Sequence, residues 1–240
     1  MAQHISRKEL KKDEIRETLS HGAEAVLSHR KIFGTVITVA VFVVAAILAW
    51  RWYTEVQTIK AAAALDEAMN IYRAPIRGAN EPATPGEVTY LDPQNKFQDA
   101  AKKFDDVARK YPRTRPGQAA LYYYALSQEN LGQFNQAAEA LKKLEGVGND
   151  DFASLGRYQL AEVDQKLGKS QDAIALYRQL ESKPTVFVPR PLVLLSLGDA
   201  LVKTNPQEAA KVYNQIKKDY GDSIFSEEAD KRLESLNPKT

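Results

Sequence analysis

Cysteine is absent from the sequence, which excludes disulfides, thiolate nucleophiles and most zinc sites. Histidine is nearly absent: His4, His21 and His29 all lie ahead of residue 30, so the rest of the chain has no imidazole for acid–base work. Glycine is sparse, 12 in 240 residues, and nowhere spaced as a phosphate-cradling loop. Net charge is missing too. There are 33 Lys and Arg against 31 Asp and Glu, and past residue 50 the two sets are equal. Such a chain releases few counterions from a phosphate backbone, so nucleic acid is not an expected ligand. The acidic pairs Asp105-Asp106, Asp150-Asp151 and Glu227-Glu228 do not supply the lacking chemistry, because helical neighbours point about 100° apart and cannot converge on one bond. No catalytic residue, cofactor, metal or small-molecule substrate is expected.

What is present begins with a charge-free run of 19 residues at 32–50 (IFGTVITVAVFVVAAILAW), fenced by Arg30-Lys31 and Arg51. As a helix it rises about 28 Å, the depth of a bilayer core. A cleaved signal peptide fits less well, since its apolar region is shorter and here a tail carrying five acidic residues comes first. Trp50, Trp52 and Tyr53 resemble an interfacial aromatic belt, so the span is taken as 32–52. Arg7, Lys8, Lys11, Lys12, Arg16, Arg30 and Lys31 precede it, whereas Arg51 and Lys60 are the only cations on the far side before Arg73. The positive-inside rule then predicts a cytoplasmic tail at 1–31 and an extracytoplasmic domain at 53–240. In a Gram-negative cell that is the inner membrane with a periplasmic domain. Within the tail, Ser6-Arg7-Lys8-Glu9 has the form of a capping box, followed by Ile15, Leu19, Ala23 and Val26 at helical spacing, which predicts a short amphipathic helix.

Beyond residue 95 the chain repeats. Four segments align: Phe97 to Phe104, Phe134 to Leu141, Ser170 to Tyr177 and Pro206 to Tyr213. Their key alanines Ala100, Ala137, Ala173 and Ala209 stand 37, 36 and 36 residues apart, and Val107, Leu144, Leu180 and Ile216 follow seven residues later in each copy. A period of this length predicts an all-α solenoid of stacked helical hairpins. Leu131-Gly132-Gln133-Phe134 and Leu167-Gly168-Lys169 read as the turns inside hairpins, with glycine in the left-handed position, and Tyr111-Pro112 as a helix stop. Residues 58–74 read as a further helix, ended by Pro75 and paired with one at 93–110; the Pro- and Gly-bearing stretch 76–92 between them reads as a long exposed loop. Residues 226–236 read as a terminal helix capping the last repeat.

These alanines, bulky positions and glycine turns resemble the tetratricopeptide family. The likeness departs from the family pattern in its longer period, in lacking the consensus tryptophan, and in Thr204-Asn205-Pro206 standing for the last glycine turn. In that family the first helices of the hairpins line a groove that binds other proteins. Phasing by the alanines puts Tyr122, Leu126 and Glu129, then Tyr158, Glu162 and Gln165, then Leu195, Asp199 and Val202 on that face. Tyrosine offers a large contact area with a polar tip, which makes Tyr122 and Tyr158 candidate anchors. The lysine and asparagine pattern with which some members clamp a peptide's terminal carboxylate does not stand at these positions. A second candidate is the segment 182–191 (SKPTVFVPRP), in which Val186, Phe187 and Val188 cannot all be buried by a helical pattern.

The layout of a basic tail, one span, an alanine-rich helix and a repeat domain resembles the ancillary SecYEG translocon subunit family. The resemblance implies a protein-docking role beside the translocon, with translocon subunits, secretory chains or periplasmic chaperones as partners and the bilayer held by 32–52. Lys218-Asp219-Tyr220-Gly221 with the helix after it also resembles repeat proteins of cell-envelope assembly, division or outer-membrane biogenesis, which implies a scaffold instead.

Overall fold

The computed structural model describes residues 30–78, 86–147 and 150–236. The tail, and the amphipathic helix expected in it, lies outside them, as does the middle of the 76–92 loop. Among the described residues there are nine helices, and the only β pairing is a single bridge. They are α1 (Arg30–Arg73), α2 (Pro93–Lys110), α3 (Arg115–Asn130), α4 (Phe134–Val147), α5 (Asp150–Lys166), α6 (Ser170–Ser182), α7 (Arg190–Leu201), α8 (Pro206–Asp219) and α9 (Ile224–Leu236). The chain divides into two compact units, 1–55 and 56–240.

In the first unit, every residue from 34 to 55 is exposed. Among the described residues nothing covers Val36, Ile37, Phe42, Leu48 or Trp50. The helix is long and apolar enough to cross a membrane. The residues read as a span and those read as a separate helix at 58–74 belong to one helix, because no proline or glycine lies between Gly34 and Arg73 to interrupt it.

The second unit is an α-solenoid. Each helix from α2 to α9 packs on the next in sequence, and first helices of neighbouring hairpins also touch, α3 with α5 and α7 with α9. The repeated alanines Ala100, Ala137, Ala173 and Ala209 are fully buried, as are Phe104, Leu141, Tyr177 and Tyr213 four residues on. A methyl group at the first position lets two helices approach, and the bulky side chain one turn later fills the gap beside it. On the facing helices Ala125, Ala161 and Gly198 keep the same close approach; a Cβ on Gly198 would lie 2.3 Å from the Tyr213 ring. In the first hairpin Tyr72 of α1 meets Phe97, Phe104 and Tyr123 edge-on, with ring centroids 5.5 to 5.9 Å apart, which seats α1 on α2 and α3.

Local chemistry sets the ends of these helices. Asp92, Thr114 and Asn205 accept from the backbone N–H of Gln94, Gly117 and Glu208, each with a proline in the first turn that follows. Gly132 and Gly168 take φ of +73° and +76°, the left-handed turn their spacing predicts. The Thr204-Asn205 turn reaches the same end without positive φ, through Asn205 N–H donating to the Leu201 carbonyl at 2.7 Å. The ends of the 76–92 loop are stitched together: Arg77 N–H donates to the Tyr90 carbonyl and Tyr90 N–H to that of Pro75. Helix α9 starts two residues ahead of its expected position, at a turn in which Ser223 accepts from Ser226 N–H. Its outer stripe of Glu227, Lys231, Glu234 and Ser235 is exposed and polar, as a capping helix requires.

Candidate protein-binding face

All nine residues phased to the groove sit on α3, α5 and α7 or within one residue of the end of α7, and none is either fully buried or fully exposed as a whole residue. The structure ties them into three polar clusters. In the first, Gln159 of α5 donates to Glu129 at 2.6 Å, Lys166 donates to its other oxygen at 2.8 Å, and the Tyr122 hydroxyl meets Gln159 at 3.5 Å. Glu129 is thereby almost sealed, with 7% of its side chain exposed. In the second, the buried Tyr177 of α6 donates to Glu162, and Gln165 donates to the same hydroxyl at 3.1 Å. In the third, Tyr213 of α8 donates to Asp199 at 2.7 Å, and Arg232 of α9 donates to the same oxygen at 2.8 Å while also pairing with Glu228.

The tyrosine tips are engaged by the protein itself. Tyr158 shares a 2.8 Å hydrogen bond with Ser196 on the next first helix and places its ring edge-on to Tyr177, 5.8 Å between centroids. Burial pushes the Tyr158 hydroxyl above the ordinary phenol value; Ser196 opposes the shift, and the charges of Glu162 and Asp199 add to it. Burial likewise raises Tyr122, with the neighbouring Tyr123 and Glu129 reinforcing it. What the face offers a partner is therefore half-buried ring and aliphatic surface from Tyr122, Leu126, Tyr158, Leu195 and Val202, bordered by polar groups that already have partners.

Sequence phasing did not single out Tyr177, Tyr213, Gln159, Ser196, Lys166 and Arg232, which hold the face in shape. A signal for two of them was present. Tyrosine replaces Phe104 and Leu141 at the bulky second-helix position only in the third and fourth copies, where an acid, Glu162 or Asp199, replaces Leu126 on the first helix. At 182–191 the outcome is divided. Val188 is buried and Thr185 is bonded to Ser154 at 2.7 Å, whereas Val186 is 89% exposed and Phe187 lies edge-on to Phe152, centroids 6.1 Å apart.

The acid pairs are ordinary surface partners: Asp105 and Asp106 with Arg109, Asp151 with Arg115, Glu228 with Lys231 and Arg232. With the repeat geometry in view, the family profile described as a tetratricopeptide repeat-like domain matches residues 30–237. The chain belongs to that family. Among solved structures it is similar to the nearly identical TPR-like repeats of a candidate kinesin light chain from Podosopora anserina, at 17% identity and a TM-score of 0.50, covering 60% of this chain and 79% of that one. A form of those repeats with a single substitution gives 16% identity with the same score and coverage. No curated protein sequence matches. A tetratricopeptide repeat-like solenoid is a protein–protein interaction module, which is the coarse function of this chain.

Proposed function

We propose that this protein is a membrane-anchored docking module whose helix at 32–52 crosses the inner membrane, with 1–31 in the cytoplasm and the repeat domain at 53–240 in the periplasm. The observation that carries the reading is the apolar helix itself: 22 consecutive residues, 34–55, are exposed, and the charge-free run within them requires an apolar cover that a bilayer supplies. The excess of cations ahead of the span supports the direction. The partner is a protein held along the face of Tyr122, Leu126, Glu129, Tyr158, Glu162, Gln165, Leu195, Asp199 and Val202. The layout's resemblance to the ancillary translocon subunit family supports secretory chains or periplasmic chaperones beside the Sec translocon as that partner.

The test is photocrosslinking in native membranes from Tyr53, Tyr122 and Tyr158, with adducts identified by mass spectrometry. Translocon subunits at Tyr53 and secretory chains or chaperones at the other two support docking. Envelope-assembly proteins at all three positions replace it with the scaffold role. Release of the protein by alkaline carbonate, which strips peripheral but not integral proteins, would sink the anchored reading altogether.

A further inference from the structure

The three acids of the candidate face are not equivalent. Glu129 is paired with Lys166 and Asp199 with Arg232, but among the described residues no cation lies within 4 Å of Glu162. Its helical neighbour four residues on is Lys166, the usual partner for a glutamate at that spacing. Lys166 is instead drawn across to Glu129 at 2.8 Å and lies over the Phe134 ring, 5.7 Å from its centroid. The hydroxyl of Tyr177 pins Oε1 of Glu162 from below, and the residue is part-buried rather than sealed in the core. One turn earlier on the same face is Tyr158, whose hydroxyl stands in the negative field of Glu162 and Asp199. Lys203, exposed past the end of α7, is the one other cation at an equivalent rim position.

We propose that Glu162, with the ring of Tyr158 one turn before it, seats a single lysine or arginine side chain of the bound protein segment, and that Leu126 and Leu195 take apolar residues on either side. Leu126 and Leu195 are the repeat equivalents of Glu162 and Tyr158 on the adjoining first helices, so a cation seat is flanked by aliphatic surface on both sides. A carboxylate already fixed by a hydrogen bond needs no reordering to meet a cation, and the tyrosine ring adds an attractive π face. The proposal rests on the face being the binding surface and adds the chemistry of what it selects.

The experiment uses the full chain in lipid nanodiscs and blocked seven-residue peptides of leucine and alanine whose central residue is lysine, norleucine or glutamate, with affinity read by fluorescence anisotropy. The lysine peptide is expected to bind about tenfold tighter than the norleucine peptide, and the glutamate peptide more weakly than either. Glu162→Gln, which keeps the shape and an oxygen for Tyr177, should erase the lysine preference, bringing the lysine and norleucine peptides to equal affinity. Glu129→Gln, which leaves Glu162 and Tyr158 themselves unaltered, should free Lys166 to swing toward Glu162 and reduce the same preference. Equal binding of lysine and norleucine peptides overturns the cation seat while the binding face stands. Equal loss of both peptides in Glu162→Gln overturns it by making Glu162 a structural residue. If none of the peptides binds, the seat and the face fail together.

Discussion

The hydroxyl of Tyr213 on α8 donates a 2.7 Å hydrogen bond to Asp199 on α7, and Tyr177 makes the same bond to Glu162 one repeat earlier. A second-helix residue buried in the core thus fixes an acid on the first-helix face. Replacing Tyr177 or Tyr213 by Phe keeps the ring packing and removes only the donor. Each substitution should destabilise the repeat domain by about 1 kcal/mol, since the part-buried acids can recover a water. Chemical denaturation of the purified protein measures this. A loss near zero in both variants would mean the hydroxyls only follow the packing.

Gly198 and Gly146 should respond oppositely to alanine. At Gly198 a Cβ would strike the Tyr213 ring at 2.3 Å, so Gly198→Ala forces the ring off Asp199 and should cost about 1–3 kcal/mol. At Gly146, in α4, a Cβ meets nothing within 4 Å, and alanine should stabilise the helix by about 0.5–1 kcal/mol. Thermal unfolding of the two variants separates them by sign.

Stability should fall in strong base. Burial raises the hydroxyls of Tyr122, Tyr177 and Tyr213 above the ordinary phenol value, and the bonds to Glu162 and Asp199 add to the shift for the latter two. The neutral form is thus favoured in the folded state. The contribution is complete below the unfolded value of about 10 and is lost as pH rises above it toward the folded values, because the unfolded chain gives up its protons first. Melting temperature should therefore drop above about pH 10, and the Tyr177→Phe, Tyr213→Phe double variant should show a shallower drop. An unchanged slope in that variant would place the titration elsewhere.

The turn at 182–191 carries one structural and one dispensable valine. Val188 is fully buried, and Val188→Ala should cost about 2 kcal/mol from lost methyl burial and the cavity left behind. Val186 points to solvent, and Val186→Ser should change stability by less than about 0.5 kcal/mol. A large effect at Val186 in denaturation would show that the tip is covered in the protein studied.

The solenoid was legible because its signal is local and repeated. Four alanines at a near-constant spacing, with a bulky residue four positions on and an apolar one seven on, specify which stripe of each helix is buried, and Gly132 and Gly168 mark where hairpins turn. The phase also selects which residues share a face, and all nine lie on the first helices or within one residue of the end of α7. The state of that face was not legible. Tyr122 and Tyr158 suggest free polar tips from their side chains alone, yet their hydroxyls are taken up by Gln159 and Ser196, 37 and 38 residues away.

The sequence by itself determined the helical class, the repeat period, the charge-free run at 32–50 and the absence of thiol and, beyond the tail, imidazole chemistry, all of which depend on composition and short-range spacing. Only the tertiary structure decided how charges pair. Lys166 reaches Glu129 across 37 residues rather than Glu162 four away, and Arg232 reaches Asp199 across 33. Those choices depend on rotamers and distances between packed helices, where a shift of an ångström or two exchanges one carboxylate for another, and no periodicity along the chain encodes that distance.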